Sequence, residues 1–403
     1  MGSPFQNKVI LLGVSGSIAA YKACELCSRL VQNEARVYVA MTENAQKLVC
    51  PVTFECLSGN PVITGMFETH TLGPLSHISL THEVNLLIVA PATANLIAKS
   101  AHGIADDWLS TALLATTAPI LWAPAMNPQM FLNPASQQNI ETLKNRKHHF
   151  VGPAAGNTAC GEIGIGRMVE PVEIIEYADI ILNEPKDFVG KKILITSGPT
   201  QEPIDPVRYI SNRSSGKMGR ALAMEALRRG AEVTVISGPA REPLPFKAEL
   251  IFVRTALEMY EETVKRSPQY DIFIGAAAVA DYRVADPADE KHKRNGATHH
   301  LELIPNPDIA KKIGEMKRPN QITVGFAAET HHLVDYAQEK LKRKNLDLIV
   351  ANQVGGENCA FGSDYVSAIM ITPKSKDEKP ELIPKSELTR RIFNRISEIM
   401  NKK

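Results

Sequence analysis

The chain is 403 residues long, and 45 Lys+Arg against 44 Asp+Glu leave a formal net charge of +1. At about 150 residues per domain this length gives two to three domains, and near-neutrality removes any overall electrostatic drive toward nucleic acid or an anionic membrane. A composition with 44% hydrophobic and 22% charged residues excludes wholesale disorder.

The longest apolar stretch, Leu86 to Ala98, is broken by Pro91 and Asn95 and is too short to span a bilayer. The N-terminus MGSPFQNKVILLG has no signal-peptide pattern, and six unevenly spaced cysteines make no disulfide framework. A soluble, cytoplasmic, multi-domain protein with no nucleic-acid or membrane partner is expected.

In chain order, short β-branched runs predict strands over Lys8–Val14, Arg36–Met41, Asn85–Ala90 and Pro119–Ala123. A second set covers Lys191–Ser197, Glu232–Ser237, Tyr270–Ala276, Thr323–Ala327, Asp347–Ala351 and Ser367–Thr372. Helical patterns lie between them; in Ile18–Val31, residues Ala19, Ala23, Leu26, Cys27 and Leu30 share one face. The chain also starts twice: KVILLGVSGS and KKILITSGPT each lead through a helical pattern to a second strand, RVYVAM or EVTVIS. NEPKDFVG, near 183–190, interrupts the periodicity. The fold class expected is α/β: two doubly wound, Rossmann-like domains with mainly parallel sheets, over 1–185 and 191–403.

The turn GVSGSIAAYK (Gly13–Lys22) bends at Gly13 and Gly16 and adds the hydroxyls of Ser15 and Ser17. Alone it reads either as an ordinary strand-to-helix connection or as a phosphate-holding loop; it is neither GxGxxG nor a Walker loop. In open parallel sheets, ligands sit beyond the strand C-termini. APATANLIAK (Ala90–Lys99) and PAMNPQMF (Pro124–Phe131) end two further strands in small and polar residues. GNTACGEIGIGRM (Gly156–Met168) packs glycines around Cys160, and SHISLTHEV (Ser76–Val84) carries His77. Cys24 and Cys27 form a CxxC inside a helical pattern and read as packing. The adjacent pairs His148/His149, His299/His300 and His331/His332 lack i,i+4 zinc spacing and read as solvated, so no protein metal site is expected.

Together these segments resemble the homo-oligomeric flavin-containing cysteine decarboxylases across nearly the whole first half. The PxMNxxMW motif of that family stands here as Pro124-Ala-Met-Asn127-Pro-Gln-Met130-Phe131, with Phe in place of Trp, and its substrate clamp carries its cysteine as Cys160. The resemblance implies a flavodoxin-like flavoprotein domain holding FMN, with Gly13, Ser15, Gly16, Ser17, Thr42, Ala92, Thr93 and Asn95 as flavin contacts. It also implies a decarboxylation assisted by oxidation, since direct loss of CO₂ would leave a carbanion with no electron sink. His77 is then the catalytic histidine, Asn127 holds the substrate carboxylate and Cys160 supplies a proton. A flavin-holding regulatory protein and an FMN- or NAD-dependent oxidoreductase are the rival readings. Intact His77, Asn127 and Cys160 speak against the first, and the missing nicotinamide fingerprint against the second.

In the second half, TSGPTQEPIDPVRYISNRSSGKMG (Thr196–Gly219) is the longest polar insertion between a strand and a helix. Its tail, Ser214 to Gly219, reads either as an exposed loop or as an anion-binding nest. GAAAVADYR (Gly275–Arg283) ends a strand in small residues and Asp281; EKHKR (Glu290–Arg294) is either a solvated face or a lid over phosphates. NPDI (Asn306–Ile309), GFAAET (Gly325–Thr330) and EKLKRKNLDLIVAN (Glu339–Asn352) follow, with Lys340 and Lys344 on one helix face. The pattern over Ser386–Met400 predicts a final helix capped by Ser386, with Leu388, Ile392, Ile396 and Ile399 inward.

These strings resemble phosphopantothenoylcysteine synthetase of the bacterial, CTP-using type. Placed behind the flavin domain, they make the chain similar to the bifunctional coenzyme A biosynthesis enzymes. The KxKK motif of the family appears as Lys291-His-Lys293-Arg294. The implied partners are 4′-phosphopantothenate, L-cysteine and CTP, with Mg²⁺ arriving on the nucleotide. The substrate carboxylate attacks the α-phosphate of CTP, expelling pyrophosphate, and the cysteine amine then displaces CMP. By resemblance Asn212 handles the acyl-cytidylate and Lys291 serves the lid and the amide-forming step. Ala277, Asp281, Asn306, Asp308, Phe326, Lys340 and Lys344 bind the nucleotide, and Arg208, Ser214, Gly216 and Gly219 touch substrate or phosphates. The residues leave CTP against ATP open. The family implies a homo-oligomer with trimeric flavin domains and dimeric ligase domains, which a dodecamer satisfies.

Overall fold

Continuous apolar runs such as VILLGV and KILITS suit strands buried on both faces, as parallel sheets require. The computed structural model describes residues 4–66, 76–157, 161–183, 185–291, 298, 300–329, 333–353, 363–374 and 379–402. It divides into two units, Met1–Asn183 and Glu184–Lys403.

The first unit carries a parallel sheet of β1 (Val9–Val14), β2 (Arg36–Met41), β3 (Val62–Ile63), β4 (Leu86–Ala92), β5 (Ile120–Pro124) and β6 (His149–Phe150). Their order is β3-β2-β1-β4-β5-β6. An antiparallel hairpin, β7 (Ala154–Asn157) with β8 (Ile163–Arg167), follows. The two-residue alternation of a strand sends Ile10, Leu12 and Val14 to one core and Leu11 to the other. Against the first core, helix Ala20–Gln32 buries Ala20, Ala23, Leu26, Cys27 and Leu30, nearly the face expected. Burial pushes the Cys27 thiol up to about 12, which agrees with the packing reading of the CxxC.

The second unit repeats the plan. Its strands are β9 (Lys192–Ser197), β10 (Gln201–Pro203), β11 (Tyr209–Ser211), β12 (Glu232–Ser237), β13 (Glu249–Phe252), β14 (Ile272–Gly275), β15 (Tyr282–Val284), β16 (Leu303–Pro305), β17 (Ile322–Glu329), β18 (Leu348–Gln353), β19 (Tyr365–Ile371) and β20 (Glu381–Pro384). The large sheet runs β13-β12-β9-β14-β17-β18-β19-β20, antiparallel only at β18–β19 and β19–β20. Counted within each large sheet alone, the first six strands of both take the order 3-2-1-4-5-6. Each therefore has a topological switch point, between β1 and β4 and between β9 and β14. At the start of this unit Phe188 is fully buried. Its ring meets Phe393 edge-on at 5.3 Å, and the Arg229 guanidinium lies 4.9 Å above it while pairing with Asp187.

Two local expectations are corrected. The last helix starts at Lys385 with Pro384, not Ser386, in the cap position, because it leaves β20 directly and the Lys385 N–H is taken by the Asp364 carbonyl at 2.9 Å. His148 is half-buried rather than solvated: its Nδ1 accepts the Trp122 Nε1–H at 3.0 Å, and its ring stacks on the indole. Of the other histidine pairs only His300 is among the described residues, and it is exposed. No described helix is long and apolar enough to cross a membrane.

Candidate functional site

The switch point of the first unit is held open by one hydroxyl. Ser15, 1% exposed, donates its Oγ–H to the Pro91 carbonyl at 2.7 Å and accepts the Thr93 N–H at 3.0 Å. That bracket fixes the spacing between the loops after β1 and β4. Thr42 and Thr93 then cap the helices Glu43–Gln46 and Ala94–His102 through Ala45 N and Leu96 N. Between these elements lies a cavity of about 600 Å³ lined by Ser15, Gly16, Ser17, Thr42, Thr93 and Asn95, all expected as flavin contacts. Gly13 and Ala92 lie in β1 and β4 and do not line it.

The cradle fits a phosphate-bearing ligand of flavin mononucleotide size. A Cβ on Gly16 would sit 2.5 Å from Asn44 Cβ, so the loop passes where only glycine leaves room. Capped helix starts and hydroxyl donors suit a phosphate, and the volume is ordinary for a cofactor site. Lys99, Asp106 and Asp107 also line it and were not legible as site residues. Lys99 bonds Asp106 at 2.6 Å, and this hydrogen bond raises the lysine above its ordinary range and lowers the carboxyl. The Asp107–Ser110 capping box was the available signal.

Met126 and Met130 of the PAMNPQMF string line the same cavity, whereas Asn127 does not. Asn127 caps helix Pro128–Leu132, accepting the Gln129 N–H at 2.8 Å, and its Nδ2 donates to Glu162 Oε2 at 2.9 Å. Met126 N–H donates to the Gly166 carbonyl at 3.0 Å. The hairpin that leads into and out of Cys160 is thus fastened beside Asn127. Cys160 itself lies outside the described residues, as does the His77 side chain on helix Ser76–Glu83.

The second unit carries a cavity of about 830 Å³ at the C-terminal edge of its sheet. Of the expected residues it gathers Asn212, Ser214, Gly216, Ala277, Asp281, Asn306, Asp308, Phe326, Lys340 and Lys344. Asn212 Nδ2 donates to the carbonyls of Ala278 and Val279 at 3.2 and 3.0 Å, tying the loop after β11 to the loop after β14. Asn306 Nδ2 donates to the Ala280 carbonyl at 2.9 Å, and its Oδ1 accepts from Arg283 at 3.2 Å. Asp308 caps helix Ile309–Met316 through Lys311 N and pairs with Lys344 at 3.0 Å.

Arg208, Gly219 and Lys291 do not line the cavity. The Arg208 guanidinium grips buried Asp205 through Nε at 2.9 Å and Nη2 at 2.5 Å. Gly219 packs inside helix Lys217–Arg228 against Ser197. Lys291 is exposed on the connection between β15 and β16, and Lys293 and Arg294 lie outside the described residues. Lys217 and Lys385 line the cavity and were missed; Lys385 stands far along the chain from every quoted motif. Burial, then repulsion from Lys217, lowers the Lys385 ammonium below its ordinary range. Among the described residues, no group of three or more His, Cys, Asp or Glu could hold a metal ion.

A family model described as Flavoprotein matches residues 3–182, and one described as DNA/pantothenate metabolism flavoprotein C-terminal domain matches 188–400. A Vibrio cholerae protein called coenzyme A biosynthesis bifunctional protein CoaBC is 44% identical over 396 residues, covering 98% of this chain and 99% of its own. The Bacillus subtilis protein of that name is 45% identical over 395 residues, 97% of each chain. The Escherichia coli K12 protein is 47% identical over 361 residues, 89% of each. The chain belongs to the family of bifunctional coenzyme A biosynthesis proteins, enzymes that join a flavoprotein decarboxylase domain to a ligase domain of pantothenate metabolism.

Proposed function

We propose that the second unit couples 4′-phosphopantothenate to L-cysteine using CTP, and that the first decarboxylates the resulting 4′-phosphopantothenoylcysteine to 4′-phosphopantetheine with FMN. The observation that carries this reading is the pair of switch-point cavities, a hydroxyl cradle in one unit and a cation-lined cleft in the other.

In the ligase, the carboxylate attacks the α-phosphate of CTP, pyrophosphate leaves, and the cysteine amine displaces CMP to form the amide. Lys340 and Lys344 offset phosphate charge, and Asp281, Asn306, Asp308, Ala277 and Phe326 shape the nucleotide end. Asn212 steers the acyl-cytidylate, and Lys291 closes over it from the β15–β16 connection. Ser214 and Gly216 hold phosphate or acyl substrate, while Arg208 braces the loop through Asp205 and Gly219 lets the helix pack on Ser197. Mg²⁺ enters with CTP, bound to its phosphates.

In the decarboxylase, bound FMN supplies the electron sink that loss of CO₂ requires. Ser15, Gly16, Ser17, Thr42, Thr93 and Asn95 build its phosphate cradle, with Gly13 and Ala92 supporting it from the strands behind. Asn127 orients the substrate carboxylate, His77 handles the proton at the reacting end, and Cys160 returns a proton to the product. The described cysteines are free thiols, in keeping with a cytoplasmic setting. Ile163, 83% exposed, and Ile165, 44% exposed, leave β8 with uncovered apolar surface that fits a homo-oligomer, trimeric through the first unit and dimeric through the second.

The test incubates the purified chain with 4′-phosphopantothenate, cysteine, CTP and Mg²⁺ and follows products by mass spectrometry. 4′-Phosphopantetheine with CMP, pyrophosphate and CO₂ is the expected outcome. Product stopping at 4′-phosphopantothenoylcysteine refutes the decarboxylase half; no amide refutes the ligase half.

A further inference from the structure

The ligase cavity holds cations on both faces of its sheet. A right-handed return from β9 to β12 puts helix Lys217–Arg228 on one face. Helix Leu333–Arg343, which crosses from β17 to β18 in the opposite direction along the sheet, lies on the other. Helix Lys385–Met400 packs against Lys217–Arg228 and so shares its face. Lys340 and Lys344 therefore approach the cavity from one side, and Lys217 and Lys385 from the other.

The second group is a built feature. Lys385 is half-buried at the start of its helix, and its Nζ donates to the Ser363 carbonyl. Lys217 bonds Asp364 Oδ1 at 2.6 Å, and that carboxylate is 80% exposed. Helix Lys217–Arg228 begins after Gly216 with no side-chain cap, so its first N–H groups and two ammonium groups converge on one end of the cleft. Holding a lysine half-buried beside a second one is unfavourable unless an anion joins them. Asp364 supplies part of that charge from an exposed position, where a stronger anion can replace it.

Building on the ligase reading, we propose that Lys385, assisted by Lys217, is a phosphate-binding residue of the ligase site, holding a second anion apart from the one that faces Lys340 and Lys344. The reaction brings two phosphate-bearing substrates together, and two cation groups on opposite faces match them. The phosphate belongs either to the monoester of 4′-phosphopantothenate or to the nucleotide.

The test measures amide formation by the full chain as wild type, Lys385→Met and Lys385→Arg. Substrates are varied CTP, 4′-phosphopantothenate and its dephosphorylated form, pantothenate. Losing a charge-assisted contact raises KM for the phosphate that Lys385 holds by about 10- to 100-fold, and Lys385→Arg recovers most of it. A rise for 4′-phosphopantothenate that is absent with pantothenate names the monoester; a rise for CTP, equal with either acyl substrate, names the nucleotide. Unchanged KM for both substrates overturns the proposal, as does a fall in kcat alone. Lys385→Gln, which keeps a donor and loses the charge, replaces the Met variant if that one melts early. Wild-type turnover with CTP is measured first: its absence refutes the nucleotide assignment by itself, and the same KM comparison is then made with ATP.

Discussion

Gly314 offers a sharp test of how the second unit holds its cleft, because two effects of opposite sign meet there. It lies buried in helix Ile309–Met316, where alanine is favoured over glycine by about 1 kcal/mol. A Cβ at this position would stand 1.8 Å from the Lys344 carbonyl oxygen and 2.9 Å from its carbon. Carbon contacts are comfortable near 3.5 Å, so helix and loop must part by roughly 1.5 Å. Both sides are backbone, which cannot swing away like a side-chain tip. Overpacking of this kind costs about 1–3 kcal/mol. Loss of the Asn345 Nδ2 hydrogen bond to the Gly314 carbonyl, 2.8 Å long, adds about 1 kcal/mol. Net of helix propensity, Gly314→Ala destabilises the second unit by about 1–3 kcal/mol, or about 3–10 °C in Tm for a unit of this size. The same separation pulls Asp308, the cap of that helix, away from Lys344, so KM for the nucleotide rises at least about tenfold. Calorimetry and ligase kinetics read the two effects, with decarboxylation of supplied 4′-phosphopantothenoylcysteine as the internal control. A higher Tm with unchanged KM, the result propensity alone requires, refutes the reasoning.

Cys160→Ser is expected to spare the ligase and the loss of CO₂ but to block the final protonation, so the oxidised ene-thiol, two hydrogens lighter than 4′-phosphopantetheine, replaces that product in the mass-spectrometric assay. Asp187 gives an acid-limb prediction: burial opposes its ionisation, but the Arg229 guanidinium outweighs that and holds its carboxyl below the ordinary range. Its contribution is complete above the unfolded value of about pH 4 and is lost as pH falls through the lowered folded value. Asp187→Asn therefore lowers stability at pH 7 and flattens the acid limb of a Tm-against-pH series. Under native alkylation read by peptide mapping, exposed Cys50 and Cys56 react first and buried Cys27 stays protected.

The strands of the two sheet centres were legible because apolar and β-branched residues run together in them for about four residues or more, bounded by turns. β3 and β6 are two residues each and present no pattern, and β20 ends in a proline that argues against a strand by composition. Contiguous motifs carried most of the ligase cleft, since the loop after β11 and the loop from β14 to Asp281 each bring their neighbours with them. Lys385 was not legible: only the packing of the last helix on Lys217–Arg228 carries it back to the cleft. Trp122 and His148 find each other only because β5 and β6 are adjacent, so one of a polar-looking pair of histidines became half of a partly buried stack. Arg208 stood in a string read as touching substrate or phosphates, but its local geometry gives it to Asp205.

The Ser15 bracket has a consequence for the empty protein. Because both hydrogen bonds of that hydroxyl end on the chain's own backbone, the gap between the loops after β1 and β4 is set by bonds the folded chain makes to itself. Chains made during a shortage of flavin should accumulate as receptive apoprotein, ready to be charged later without refolding, rather than as misfolded material for proteases to clear.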